Sequence, residues 1–211
     1  MVSYLKLVKF DNLLLIAFTQ LCIKYGLFAP FGIDITLNGL GIGLLVLSSI
    51  TIAAAGNIII EIYNNEHSTP NGLIQGTISE KNAHKLYIVL NVIGVIIGFY
   101  LSNLIGKPGF SALFIIISAI FYIYASYLKE IIVLKNIIIG LLVGISLIIV
   151  PLFDLLPAIN DQNRASQTVI FSIILDYSIF AFFLTMLREI SKDSIHIDNC
   201  LLYTSPSPRD A

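Results

Sequence analysis

Apolar residues run through this chain in blocks of near-spanning length, and polar residues are confined to the gaps between them. Six blocks stand out: 12–28, 37–62, 84–105, 110–128, 137–153 and 167–187. A helix needs about 20 predominantly apolar residues to cross the hydrocarbon core, so each block predicts a spanning helix. Turn signals separate them, among them Pro30, Pro70–Asn71–Gly72 and the GKPG run Gly106–Gly109. Residues 1–11, with Lys6 and Lys9, read as a short amphipathic segment at the membrane surface. The expectation is an all-α, multi-pass transmembrane helical bundle.

Composition agrees. The 211 residues are 57% hydrophobic and 12% charged, with a mean hydropathy of +0.91. Soluble domains carry about 25% charged residues. The pattern therefore predicts an integral membrane protein with the lipid bilayer as its first partner. A net charge of −1 argues against nucleic acid as another. Cys22 and Cys200 define no disulfide framework, and no zinc-like Cys/His spacing is present. Gly39, Gly41, Gly43 and Gly56 in the second block, and Gly94 and Gly98 on one face of the third, predict close helix packing. GLGIG is no dinucleotide fingerprint, because no βαβ unit surrounds it.

Lys and Arg are asymmetric between the two sets of connections. Lys6, Lys9, Lys81, Lys85, Lys129, Lys135, Arg188 and Lys192 fall on one side, and Lys24, Lys107 and Arg164 on the other. The positive-inside rule then places the N-terminus in the cytoplasm, together with the stretches around Glu61–Ser68 and Arg188–Asp198.

Those two stretches carry the candidate chemistry. Asn57, Glu61, Asn64, Asn65, Glu66, His67 and Ser68 gather where the second block runs out. Arg188, Glu189, Lys192, Asp193, His196 and Asp198 crowd the exit of the sixth. Oxygen donors from two loops on one face suit Mg²⁺, which commonly binds one or two carboxylates plus substrate phosphates. Nearby Lys and Arg suit phosphate oxygens. The plainer alternative is an ordinary basic rim meeting water. His67 beside Glu66 reads as solvated. Asp176, in mid-block, is expected to face the bundle interior and hydrogen-bond there.

Several phrases, in order, resemble the UbiA superfamily of intramembrane prenyltransferases, closest to bacterial proteins of the geranylgeranylglycerol-phosphate geranylgeranyltransferase-like type. They are KFDNLLLIAFTQ, AAAGNIIIEIY, TISEKNAHKLYIVLN, GFYLSNLIGKPGF, YASYLK followed by Asn136, and LDYSIFAF…REISKD. The resemblance implies a fold of about nine spanning helices, of which this chain would hold six, with the site open to the cytoplasmic side of a bacterial inner membrane. It implies transfer of a prenyl group from a prenyl diphosphate to a lipid-like or aromatic acceptor, with Mg²⁺ as cofactor. The implied catalytic residues are Glu61, Asn64 and Asp193. The implied metal ligands are Glu61, Asn64, Ser68 and Asp193. The implied diphosphate contacts are Asn12, Lys129, Asn136, Arg188 and Lys192. The departures are specific. The family's first motif, NDxxDxxxD, keeps only Glu61 as a carboxylate, whether aligned on Ile60, Glu61, Asn64 and Ser68 or on Asn57, Ile58, Glu61 and Asn65. In the second motif Arg188, Glu189, Lys192 and Asp193 match, and His196 stands where an Asp is expected. Lys135 stands where a Gly usually precedes the Asn.

Residues 200–211, CLLYTSPSPRDA, break with everything before them and resemble a translated sequencing-library adapter. The expected division is therefore a UbiA-like domain at 1–199, the N-terminal two thirds of such a protein, and a non-native tail at 200–211. Such a fragment is expected to be inactive. The alternatives are a degenerate non-catalytic family member and a small membrane transporter.

Overall fold

The computed structural model describes residues 2–66 and 78–204, with side chains at 3–64, 78–129, 131 and 133–192. The described residues form helices and connecting turns, with no strand. They are α1 (Val2–Leu7), α2 (Phe10–Leu21), α3 (Gly39–Glu66), α4 (Glu80–Leu104), α5 (Ser111–Ser126), α6 (Ile132–Asp154) and α7 (Arg164–Thr204). Among the described residues, five helical segments are long and apolar enough to cross a membrane: Gly39–Asn64, Glu80–Leu104, Pro108–Ser126, Val133–Ala158 and Arg164–Lys192. This is an all-α integral membrane bundle. The pattern predicts six spans. The first block is helical throughout, but α2 gives way to a wider π-type segment, Cys22–Phe28, in which Ala29 N–H donates to Lys24 O at 3.1 Å.

Helix limits differ from the hydropathy blocks at the polar ends, because chain polarity does not stop a helix. α3 continues to Glu66 and α4 begins at Glu80, so both ends of the predicted loop at 63–83 are helical; its centre, including His67 and Ser68, lies outside the described residues. The predicted loop at 129–136 already contains the first turn of α6. The largest difference is at the end. The predicted polar loop at 188–199 is helix, continuous through Thr204. No Gly or Pro interrupts Arg188–Thr204, and Lys192 Nζ pairs with Glu189 Oε1 at 2.6 Å one turn back.

Helices α3 to α7 run up and down in sequence, and side-chain contacts set their register. Thr51 and Ile52 of α3 lie against Gly94 of α4, where Ser48 Oγ donates to Gly94 O at 2.7 Å. The rings of Phe114 and Phe121 on α5 seat against Gly98 and Gly56. A Cβ at Gly56 or Gly98 would overlap those rings, so these glycines do pack helices closely. Gly43 faces open space and does not. On the other side, Gly140 meets Phe182 and Gly144 meets Ser178, whose Oγ donates to Gly144 O at 3.0 Å; α7 therefore lies antiparallel on α6. The core joins Phe28, Leu45, Phe114, Val150, Phe153 and Ile174. A smaller cluster ties Leu7 of α1 to Ile58, Ile59 and Ile62 of α3.

Candidate functional site

The helix order gathers the polar ends. Asn57 Nδ2 donates to Val8 O at 2.8 Å, which puts the start of α2, with half-buried Asn12, beside the end of α3. Lys129, in the turn Leu128–Glu130 after α5, donates to Asn64 Oδ1 at 3.1 Å. Its ammonium also stands 5.9 Å from the centre of the Tyr63 ring, within cation–π range. Asn136, 2% exposed, lies in the second turn of α6 at the same end. The Gly140–Phe182 and Gly144–Ser178 contacts, continued one more turn, bring Asn136 opposite Met186 and so beside the turn that carries Arg188. Asn12, Glu61, Asn64, Lys129, Asn136, Arg188 and Lys192 thus share one end of the bundle. The side chain of Asp193 and all of Ser68 lie outside the description.

Within that end, chemistry is uneven. Glu61 is half-buried and, among the described residues, has no hydrogen-bond or ion-pair partner. Asn64 is exposed, and its oxygen is taken by Lys129. A cation on Asn64 Oδ1 would have to displace the ammonium or endure its repulsion. Arg188 is exposed, and Lys192 is held by Glu189 in a solvated pair of the kind worth little to stability. No hydrogen bond or ion pair joins Glu61 or Asn64 to Arg188 or Lys192. No group of three or more His, Cys, Asp or Glu stands together among the described residues. The arrangement offers ammonium and guanidinium groups for an anion more readily than it offers carboxylates for a metal.

Two features at the opposite end and centre have no counterpart in the sequence pattern. Lys24, in the first block and counted with the basic residues of the far side, is 3% exposed; its Nζ donates to Asp154 Oδ2 at 2.5 Å and to Leu37 O at 2.6 Å, while Asp154 Oδ1 accepts from Leu37 N–H at 2.8 Å. Gln20, fully buried, donates from Nε2 to Ser49 Oγ and Ser146 O at 3.0 Å each, which ties α2 to α3 and α6. Periodicity cannot signal either contact, because the partners lie on helices remote in sequence. Asp176 corrects an expectation. It is exposed on α7, without a partner among the described residues, because α7 turns Ile170, Ile174 and Ser178 toward the bundle instead.

The fold and the apolar helices define an integral membrane protein with a cationic polar end. No protein-family model, no curated protein and no solved structure matches the chain.

Proposed function

We propose that this chain is a prenyltransferase of the UbiA type that takes a prenyl diphosphate at its polar end with the apolar chain of the substrate among the helices. The observation that carries the reading is the placing of Lys129, Arg188 and Lys192 with Glu61 and Asn64 at one end of an apolar bundle. Lys129 is tethered to Asn64 and Tyr63, so its charge is positioned before a ligand arrives. In this reading Lys129, Arg188 and Lys192 receive the diphosphate oxygens and stabilise the charge that grows on them as the allylic C–O bond breaks. Glu61, which has no partner among the described residues, and Asp193 would hold Mg²⁺, with Asn64 and Ser68 as neutral oxygen donors; the ion would supply charge neutralisation of the leaving diphosphate. The polar end is cytoplasmic and the membrane is a bacterial inner membrane. Burial of Lys24 sharpens that orientation, since it leaves Lys107 and Arg164 as the basic residues of the other side's connections. The remaining helix, Phe10–Phe28, counts as a sixth span of a nine-helix fold.

A second reading, binding without turnover, is favoured by the engagement of Asn64 Oδ1 by Lys129 and by the single carboxylate of the first motif. One experiment separates them. The protein is reconstituted in nanodiscs and titrated with geranylgeranyl diphosphate with and without Mg²⁺, then assayed for diphosphate release. Binding that weakens in Lys129→Met and Asp193→Ala supports the site. Release of diphosphate supports the transferase, and its absence supports the non-catalytic member. Binding indifferent to Mg²⁺ and to both substitutions overturns both.

A further inference from the structure

A groove of about 400 Å³ lies on the outer surface between α4 and α5. Its walls are Ile88, Val92 and Ile96, all more than half exposed, and Val95. Its floor is polar: Ser118 Oγ donates to Asn91 Oδ1 at 2.8 Å, and Tyr87 stands one turn from Asn91 on the same face, its hydroxyl against the Asn91 side chain. Asn91 lies about 16 Å along the axis from Glu80, near the middle of a helix about 37 Å long. No phospholipid headgroup reaches that depth, and little water does.

The Asn91–Ser118 bond by itself is ordinary interhelical glue. It uses the oxygen of Asn91, however, and leaves donors behind. An amide carries two N–H hydrogens. Tyr87 accounts for one at most, and the other has no acceptor among the described residues, nor does the Tyr87 hydroxyl hydrogen. A donor left unmet in hydrocarbon costs several kcal/mol on transfer scales, so an acceptor arriving in the groove is rewarded. The size of the groove limits the occupant. A helix, about 10–12 Å across with its side chains, does not enter 400 Å³, whereas a ring or a stretch of chain does.

We propose that the groove between α4 and α5 binds a lipid-soluble carbonyl compound, an apolar chain or ring whose carbonyl oxygen accepts hydrogen bonds from Asn91 and Tyr87. This site is separate from the polar end and does not depend on the reading of that end.

The test uses the full chain in lipid nanodiscs and 4-decylbenzophenone, a carbonyl probe that inserts into nearby C–H bonds on illumination. Labelled peptides are mapped by mass spectrometry, with 2-tridecanone and tridecane as competitors. The expected result is labelling concentrated around Tyr87–Ile96 and Ser118, suppressed by the ketone and not by the alkane. Asn91→Leu should lower it about five-fold, the worth of one hydrogen bond. Val92→Trp, which fills the groove from its exposed wall and leaves the Asn91–Ser118 bond in place, should abolish it without changing thermal stability. Should Asn91→Leu fail to fold, Val92→Trp decides. Uniform labelling of all lipid-facing helices, equal competition by tridecane, or labelling unchanged in Val92→Trp overturns the proposal. So does a dimer that Val92→Trp converts to monomer, which would make the occupant a second copy.

Discussion

Lys24 and Asp154 stand 130 positions apart in the chain and meet as a fully buried ion pair, 2.5 Å from Nζ to Oδ2. The Leu37 peptide completes the pair on both sides, giving its carbonyl to Lys24 and its N–H to Asp154. The end of the first helix, the start of α3 and the end of α6 are thereby fastened together. Removing one partner of such a pair strands a buried charge, at about 3–5 kcal/mol. We expect Lys24→Met and Asp154→Leu each to lower the unfolding midpoint in detergent strongly. The double variant should recover part of the loss, because it buries no charge. Fully additive losses in the double-mutant cycle would show that the two charges do not interact.

The ring of Phe114 lies where a Cβ on Gly98 would go. Gly98→Val should therefore destabilise by about 1–3 kcal/mol through overpacking. Phe114→Leu in the same chain should relieve part of that cost. Gly43 faces open space, and Gly43→Ala should be neutral or stabilise by up to about 1 kcal/mol through helix propensity. Thermal melts of the three variants in one detergent check the contrast. Equal effects at both glycines would contradict the packing described.

Asp176 is exposed in the middle of a spanning helix, without a partner among the described residues. A carboxylate at mid-membrane costs about 2.5–3.5 kcal/mol on insertion scales. Asp176→Leu should then raise the membrane-inserted fraction of this chain in a translocon assay. A loss of stability on that substitution would mean that protein, not lipid, covers this face of α7.

Asn64→Asp would place a carboxylate 3.1 Å from the Lys129 ammonium and so form an ion pair before any metal arrives. Asn64→Asp with Ser68→Asp should strengthen Mg²⁺-dependent binding of prenyl diphosphate. Adding Lys129→Met should strengthen Mg²⁺ binding further while weakening diphosphate binding without metal. Isothermal titration of each variant with MgCl₂ and with diphosphate separates the two effects. Identical Mg²⁺ affinity with and without Lys129 would show that the ammonium and the metal do not compete.

Topology is checked by cysteine labelling in a background with Cys22 and Cys200 replaced. Ser68→Cys and Ser194→Cys should react from the cytoplasmic side, and Ser166→Cys from the other. Labelling of Ser68→Cys from outside intact cells would reverse the assigned orientation.

The spacing of apolar blocks was enough to determine an all-helical membrane bundle and, away from the polar ends, the positions of its helices. These follow from two local rules: a spanning helix has a set length, and successive helices alternate in direction. The blocks misjudged polar ends. Arg188–Thr204 is polar and helical at once, because propensity and charge pairing, not hydropathy, decide where a helix stops. What tertiary structure alone decided is which side chain meets which. Lys24 and Lys107 fall on the same side in the count of basic residues, yet one is buried on Asp154 and the other is exposed. Asp176 reads as an interior residue and faces outward, because the rotation of α7 is set by Gly140 and Gly144 receiving Phe182 and Ser178. A helix that is apolar all the way round has no polar stripe to mark which face turns inward, so packing of small against large side chains chooses the buried face.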